Sequence, residues 1–277
     1  MRIEDLLIFG KSHCHSDIAK ILLGEIVDKN PLELLNCLDE VIEEEKCNTY
    51  KEAILAYKEG KPIQYILGKV NFYGNEFYVN KNVLIPRFET EELVENTINY
   101  IKKYFTEPVD IVDLGCGTGV IGLTLEQKVS TNSVDLIDIS QEALEVTNKN
   151  CGNLNSKAKL INNDFLKGIN KQYDVIISNP PYIAEDEEIE DIVKNNEPHL
   201  ALYAGKEGLD CYEEILKDIK KNLKEKTLIA FEIGYTQADR IKDIIKKYLG
   251  EVKIEVKKDL SNKDRMIFIF YGIDTSL

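Results

Sequence analysis

Val109-Asp110-Ile111-Val112-Asp113-Leu114-Gly115-Cys116-Gly117-Thr118-Gly119 is the stretch on which the fold turns. An apolar run that ends in clustered glycines is the pattern of a buried parallel strand running out into a loop. Glycine permits the tight turn and lets a ligand approach the backbone without meeting side chains. From here the chain alternates. Strands are predicted at 109–113, 133–138, 157–161, 173–178, 227–232, 252–257 and 265–271, and helices near 119–127, 141–151, 210–223 and 236–248. Such alternation predicts an α/β fold, a parallel sheet covered by helices on both faces. In an open sheet ordered 3-2-1-4-5 the first and fourth strands are neighbours where the winding reverses, and ligands bind outside their C-terminal ends.

The fourth predicted strand, Tyr173-Asp174-Val175-Ile176-Ile177, runs into Ser178-Asn179-Pro180-Pro181-Tyr182. Neither proline carries an amide hydrogen, and each holds the residue before it extended, so pairing stops and a stiff rim follows. The Asn179 side-chain oxygen and the Pro180 carbonyl are left as acceptors, and a planar amino group has two hydrogens to give them. The bland alternative is a strand that ends in a proline turn. The first and fourth strand mouths face each other, so Asn179 is expected beside Gly115.

The glycine loop also fits a second pattern. Gly117-x-Gly119-x-x-Gly122, with Asp138 about 20 residues on, matches the dinucleotide fingerprint, so nicotinamide or flavin binding is a rival reading. Against it stand the start of the loop at Gly115, directly after Asp113-Leu114, and the Asn-Pro-Pro-Tyr quartet, for which a dehydrogenase has no use. The Asp-x-Gly-x-Gly-x-Gly form is the one associated with S-adenosylmethionine. Leu136-Ile137-Asp138-Ile139-Ser140 ends the second strand. Asp138 is expected on the ribose hydroxyls, and Ser140 is expected to cap the helix from Gln141. After the third strand, Asp164 is expected at an adenine amino group and Phe165 over the ring. The predicted cofactor set is Asp113, Gly115, Cys116, Gly117, Thr118, Gly119, Asp138, Ile139, Asp164, Phe165 and Asn179.

Upstream, residues 1 to about 60 carry helical apolar spacing, with Ser16 a candidate cap for the second helix and Pro31 opening the third. Gly60 to Gly68 interrupts that pattern. Phe72 to Val79 then reads as an aromatic hairpin with a Gly74-Asn75 turn, followed by a short strand Val83-Leu84-Ile85. An amphipathic helix follows to about Phe105. Carboxylates in its first turn suit the helix dipole, while Arg87, Thr90 and Glu91 are candidates to line an entrance. The expected organisation is residues 1–68 as a helical substrate-docking domain, 69–88 as a hairpin linker and 89–277 as the catalytic domain.

Composition narrows the partners. With 35 Lys and Arg against 49 Asp and Glu, the 277-residue chain carries a net charge of -14, a poor balance for gripping a phosphate backbone. No apolar run approaches the roughly 20 residues that span a bilayer, and no signal-peptide pattern opens the chain, so a cytoplasmic protein without stable nucleic-acid or membrane partners is expected. The six cysteines are scattered and read as reduced thiols. His13-Cys14-His15 lacks a second ligand cluster, so no metal is expected.

Asn179-Pro180-Pro181-Tyr182 resembles the signature of methyltransferases that modify planar nitrogens of adenine, guanine or glutamine. More of the chain matches in order: Pro62 to Gly68, Leu84-Ile85-Pro86-Arg87, Thr90-Glu91, the glycine loop, the quartet, Glu197-Pro198, Ala204-Gly205, Gly208-Leu209, Glu232-Ile233-Gly234 and Asp264-Arg265. Together these resemble the bacterial peptide chain release factor glutamine methyltransferases, the PrmC/HemK family. The resemblance implies a Rossmann-like seven-stranded sheet whose last strand is antiparallel, after a helical N-terminal domain and a hairpin. It implies S-adenosylmethionine as donor, S-adenosylhomocysteine as product, and as substrate the glutamine of the Gly-Gly-Gln loop in class 1 release factors. It also implies that Asn179, Pro180, Pro181 and Tyr182 act in catalysis, and that these four with Arg87 and Glu197 meet the substrate. A monomer is expected. Phe88 departs from the family's second proline after the arginine, and Asn262-Lys263 stand where a glycine is common. The alternative is an adenine or guanine amino methyltransferase of nucleic acids, which calls for a basic recognition domain where this chain is acidic.

Overall fold

In the computed structural model, which describes residues 1–276, the chain divides into two compact units. One comprises Met1–Lys69 with Glu190–Asn196, the other Val70–Ile189 with 197–276. The first holds α1 (Ile3–Lys11), α2 (Ser16–Val27), α3 (Pro31–Asn36), α4 (Glu44–Lys58) and α5 (Ile63–Leu67). Its core packs Ile3, Leu6, Leu22, Leu23, Leu34 and Ile54 around Tyr50, whose hydroxyl donates to the Ala19 carbonyl at 3.3 Å. A Cβ at Gly10 would stand 2.0 Å from that hydroxyl, so glycine is what admits the ring.

Pro31 opens α3 as expected, inside a reciprocal cap. Asn30 Oδ1 accepts from the Leu32 and Glu33 amides, while Glu33 accepts from the Asn30 amide. Ser16 does not cap α2. It is the first helical residue, because the extended backbone that a cap position needs falls on His15, which makes no side-chain cap bond. Nor is the segment Gly60 to Gly68 without helix. Pro62 sets the entry to the single turn of α5, and Gly68, at φ 70°, closes it in the left-handed conformation by donating to Gln64 O.

The second unit begins with the hairpin β1 (Lys69–Phe72) and β2 (Asn75–Tyr78). Its turn is Tyr73-Gly74 rather than Gly74-Asn75. A two-residue hairpin turn wants positive φ at both central positions, and Tyr73 (50°) and Gly74 (82°) supply it, with the Tyr73 amide held by Glu91 Oε1 at 2.8 Å. The predicted strand at Val83-Leu84-Ile85 is absent, because its polar groups are spent elsewhere. The Val83 amide turns back to Asn80 O, and Ile85 donates to Glu197 and accepts from Arg87.

Then follow α6 (Phe88–Tyr104), β3 (Val109–Leu114), α7 (Val120–Lys128), β4 (Thr131–Asp138), α8 (Gln141–Leu154), β5 (Lys159–Asn162) and β6 (Tyr173–Ser178). After them come α9 (Asp191–Asn196), α10 (Asp210–Asp218), β7 (Leu223–Glu232), α11 (Ala238–Leu249), β8 (Lys253–Lys258) and β9 (Asp264–Tyr271). Of these, α9 belongs to the first unit, where Asn196 donates to Gly60 O at 3.0 Å.

Seven strands form one sheet in the order β5-β4-β3-β6-β7-β9-β8, with only β9 antiparallel to its neighbours. Alternate side chains feed two cores. Ile111, Val175 and Leu228 pack with Leu93 of α6, Leu123 of α7 and Leu144 of α8. Val112, Ile176 and Ile229 pack on the other face with Tyr212 and Ile215 of α10 and Ile241 and Ile245 of α11. Close approach of α7 to the sheet requires Gly122, where a Cβ would lie 2.3 Å from Leu136 Cδ2.

Candidate active site

The strand order makes β3 and β6 neighbours, in a register that sets Leu114 beside Ser178. Ser178 Oγ donates to the Leu114 carbonyl at 2.5 Å, pinning the two strand mouths together. The residues that follow, Gly115 and Asn179, line the same cavity. Its floor is the glycine loop, where Gly115, Gly117 and Gly119 all have positive φ. A Cβ at Gly117 would touch nothing within 4 Å, and one at Gly115 only Phe165 at 3.8 Å, so this face of the loop is open to a ligand. Helix α8 holds the loop from behind. Thr147 donates to Gly117 O at 2.6 Å, and Asn150 donates to Thr118 O at 2.9 Å while also bonding both backbone groups of Tyr78.

Asp138 ends β4 on the cavity wall. Its Oδ2 accepts from the Gly117 amide at 2.8 Å and its Oδ1 from Ser140 at 2.9 Å, leaving one lone pair on each oxygen for a ligand. Burial raises its pKa, against the pull of those amides. Ser140 caps α8 as expected, accepting from Ala143 at 3.1 Å. Asn163, Asp164 and Phe165 form the next part of the wall, joined by Cys211. Asn163 Nδ2 donates to the Phe165 and Lys167 carbonyls and thereby holds Phe165 at its positive φ.

Of the residues predicted from sequence, Gly115, Cys116, Gly117, Thr118, Asp138, Ile139, Asp164, Phe165, Asn179, Pro181, Arg87 and Thr90 line this cavity, whereas Glu91 lies outside it and accepts from the Tyr73 amide. Five others serve it without lining it. Asp113 is wholly buried, with Oδ2 accepting from the Gly122 amide in the first turn of α7 and Oδ1 without a partner. Burial pushes its carboxyl up to about 7. Gly119 is the left-handed entry to α7. Pro180 is buried, and no protein group donates to its carbonyl among the described residues. Tyr182 gives its hydroxyl to Glu232 Oε1 at 3.4 Å, and its carbonyl accepts from Gln237 at 2.9 Å.

The fifth is Glu197. Its side chain is 2% exposed, and it takes the Ile85 amide at 3.0 Å and the Arg87 guanidinium at 2.6 Å. Arg87 and Glu197, expected to meet a substrate, are thus bonded to each other and clamp the segment Val83 to Arg87 that forms one side of the cavity.

Sequence reasoning missed Leu200, Ala201 and Tyr203 on the opposite side, in and just after the 3-10 turn His199–Ala201, and marked Pro198 only as part of the Glu197-Pro198 match. It also missed what stands behind Asn179, since Thr90 is expected only at an entrance and Glu232 only as part of the Glu232-Ile233-Gly234 match. Asn179 Nδ2 donates to Thr90 Oγ1 at 3.2 Å, and Thr90 in turn donates to Glu232 Oε2 at 2.7 Å. The available signal was an acid, Glu232, directly after the apolar run Leu228-Ile229-Ala230-Phe231.

Among the described residues no cluster of three or more His, Cys, Asp or Glu is arranged to hold a metal, and no helix is long and apolar enough to cross a membrane. His13 packs against the Phe9 ring at 4.4 Å.

Comparison with known proteins identifies the family and the fold. The chain matches the PrmC N-terminal domain over residues 15–68 and the methyltransferase small domain over residues 92–201. It is 40% identical to the release factor glutamine methyltransferase of Bacillus subtilis, covering 90% of this chain and 89% of that one. With the Bacillus cereus enzyme of the same name it shares 36% identity over 97% of this chain and 99% of the other. A solved methyltransferase from Pyrococcus furiosus shares the fold, with a TM-score of 0.53 at 19% identity, over 80% of this chain and 98% of that one. By sequence along nearly its whole length, the chain belongs to the release factor glutamine methyltransferase family.

Proposed function

We propose that the chain methylates the side-chain amide nitrogen of the glutamine in the Gly-Gly-Gln motif of class 1 peptide chain release factors, in the cytoplasm, with S-adenosylmethionine as donor. When bound, S-adenosylmethionine supplies an electrophilic methyl on a sulfonium centre and leaves as S-adenosylhomocysteine. The cavity suits that group on three counts: an open glycine cradle, a carboxylate with free lone pairs at Asp138, and two acids, Asp138 and Asp164, against one base, Arg87, whose charge is met by Glu197. Gly115 to Gly119 would hold it with Asp138, Ile139, Asp164 and Phe165.

An amide nitrogen is a weak nucleophile because its lone pair is delocalised into the carbonyl. Asn179 Oδ1 and the Pro180 carbonyl accept its two N-H groups and hold them out of the amide plane, which returns the lone pair to the nitrogen and aims it across the cavity. Transfer from a donor held there would exchange a carbon–sulfur bond for a carbon–nitrogen bond and release one proton from the nitrogen to solvent, so no strong base is required of the chain. The rate gain comes from positioning and fixed dipoles. Tyr182 and Gln237 keep the proline rim in place, and Arg87 with Glu197 holds the entrance segment.

The observation that carries this reading is the orientation of Asn179. Its amino group is occupied by Thr90, and no protein group donates to its oxygen among the described residues. The test is incubation of the full chain with methyl-labelled S-adenosylmethionine and, in parallel, a purified class 1 release factor or DNA. Label is expected on the release factor and absent when its Gly-Gly-Gln glutamine is replaced by alanine. Label in DNA alone would overturn the assignment.

A further inference from the structure

Glu232 is a carboxylate with 1% exposure at the end of β7, and three hydroxyls converge on it. Thr90 donates to Oε2, Tyr182 to Oε1, and Tyr212 to the backbone carbonyl at 2.7 Å. Only the first of these reaches the cavity, through Thr90 to Asn179. A threonine hydroxyl has one hydrogen and an ionised carboxylate has none, so the Thr90 hydrogen must go to Glu232. Thr90 Oγ1 is then able only to accept from Asn179. That demands the amino end of the Asn179 carboxamide on the Thr90 side and leaves its oxygen for a guest.

We infer that Glu232 is a positioning residue for methyl transfer: acting through Thr90, its charge fixes which end of the Asn179 amide is offered to the incoming nitrogen. The inference rests on the proposed role of Asn179 as acceptor. Reversing one link reverses the chain. If the group at 232 donates to Thr90, the Thr90 hydrogen is released toward Asn179, which then presents NH2 to an NH2, and no productive bond forms.

Burial pushes the Glu232 carboxyl up to about 7, against the opposing pull of Thr90, Arg265 and Tyr182, while Glu89 adds to the rise. Those groups and the Tyr212 phenol are the charged or titratable neighbours that face it. Below that pH the protonated acid can itself donate to Thr90, so turnover should decline as pH falls through about 7. Asp113 titrates in the same range, and the variants separate the two.

The experiment compares wild type, Glu232→Gln, Thr90→Val and Thr90→Ser, with purified release factor as substrate and thermal melting as the folding check. Wild type must methylate the release factor glutamine, and failure there would sink the functional reading itself rather than the inference. Given an active wild type, Glu232→Gln is expected to lower kcat on the order of ten- to a hundredfold, the scale of a misplaced reacting group. KM and S-adenosylmethionine affinity should be unchanged, and the inflection near pH 7 should be lost. Thr90→Val should match it, and Thr90→Ser, which keeps the hydroxyl, should restore most of the rate. If Glu232→Gln does not fold, the valine and serine pair decides alone. Wild-type kcat in Thr90→Val, a fall in Thr90→Ser equal to that in Thr90→Val, or an unaltered pH inflection in folded Glu232→Gln would overturn the inference.

Discussion

The two ends of the seven-stranded sheet treat their acids in opposite ways. Toward the N-terminal ends of the parallel strands Asp110, Asp174 and Asp135 are each answered by a lysine. Lys224 lies 2.6 Å from Asp110 and 2.7 Å from Asp174, and Lys171 lies 2.9 Å from Asp135, which also accepts from the Tyr173 hydroxyl. Burial there would push the Asp110 carboxyl up, yet Lys224 and Ser133 hold it below its ordinary value. At the C-terminal ends Asp113, Asp138 and Glu232 are buried more deeply than Asp110 and Asp174, their partners are mostly amides and hydroxyls, and all three are raised. One end is finished as structure. The other keeps uncompensated polarity, which costs stability and is retained where a ligand is to be received.

The sharpest way to break this contrast is at the ligand end. Asn179→Ala removes the acceptor and should reduce methyl transfer by about 10²–10³-fold, the scale seen on deleting one preorganised hydrogen-bond partner of a reacting group. Retained S-adenosylmethionine binding, measured by calorimetry, should accompany the loss. Undiminished turnover would place the chemistry elsewhere.

A smaller effect separates stability from function. Since burial lifts Asp113 from an ordinary 3.8 to about 7, the folded chain keeps a proton that the unfolded chain has released between those values. Stability from this group is therefore full at low pH and is lost as pH rises through that window. Asp113→Asn should be more stable than wild type at pH 8 by about 1–3 kcal/mol, and close to it below pH 4, by urea denaturation at both pH values. An equal gain at both would show that the carboxyl is not the titrating group.

The smallest effect is expected at the opposite end. Lys224→Met leaves Asp110 and Asp174 facing each other without their cation, and should cost about 1–2 kcal/mol in denaturant unfolding. Turnover should be unchanged, since nothing there reaches the cavity. A loss of kcat without loss of stability would mean that the two ends are coupled after all.

The same contrast explains what the sequence disclosed. The parallel strands were legible because burial on both faces writes a continuous apolar run, as in Val175-Ile176-Ile177. The glycine loop and the proline rim were legible because their backbones need particular residues at consecutive positions. The pairs that complete the site were not. Thr90 and Glu232 are 142 residues apart, and Arg87 and Glu197 are 110 apart, so no local pattern joins them. Capping and turn chemistry misled by a single residue, at His15 against Ser16 and at Tyr73-Gly74 against Gly74-Asn75, because neighbouring positions share composition while only the backbone dihedrals separate them. The Val83 to Ile85 segment misled because its apolar residues look like a strand while its backbone is bonded to distant side chains.

The register that sets Leu114 beside Ser178 constrains how such a protein can change over generations. An extra residue within β3 or β6 would advance one strand mouth by about 3.3 Å against the other and invert which side chains face each core. Lengthening the segments between those strands does neither. Insertions and deletions should therefore accumulate in the loops that join α7 to β4 and α8 to β5, and spare the two strands. Genealogies of this chain ought to hold their length along the seam where the two half-sites meet.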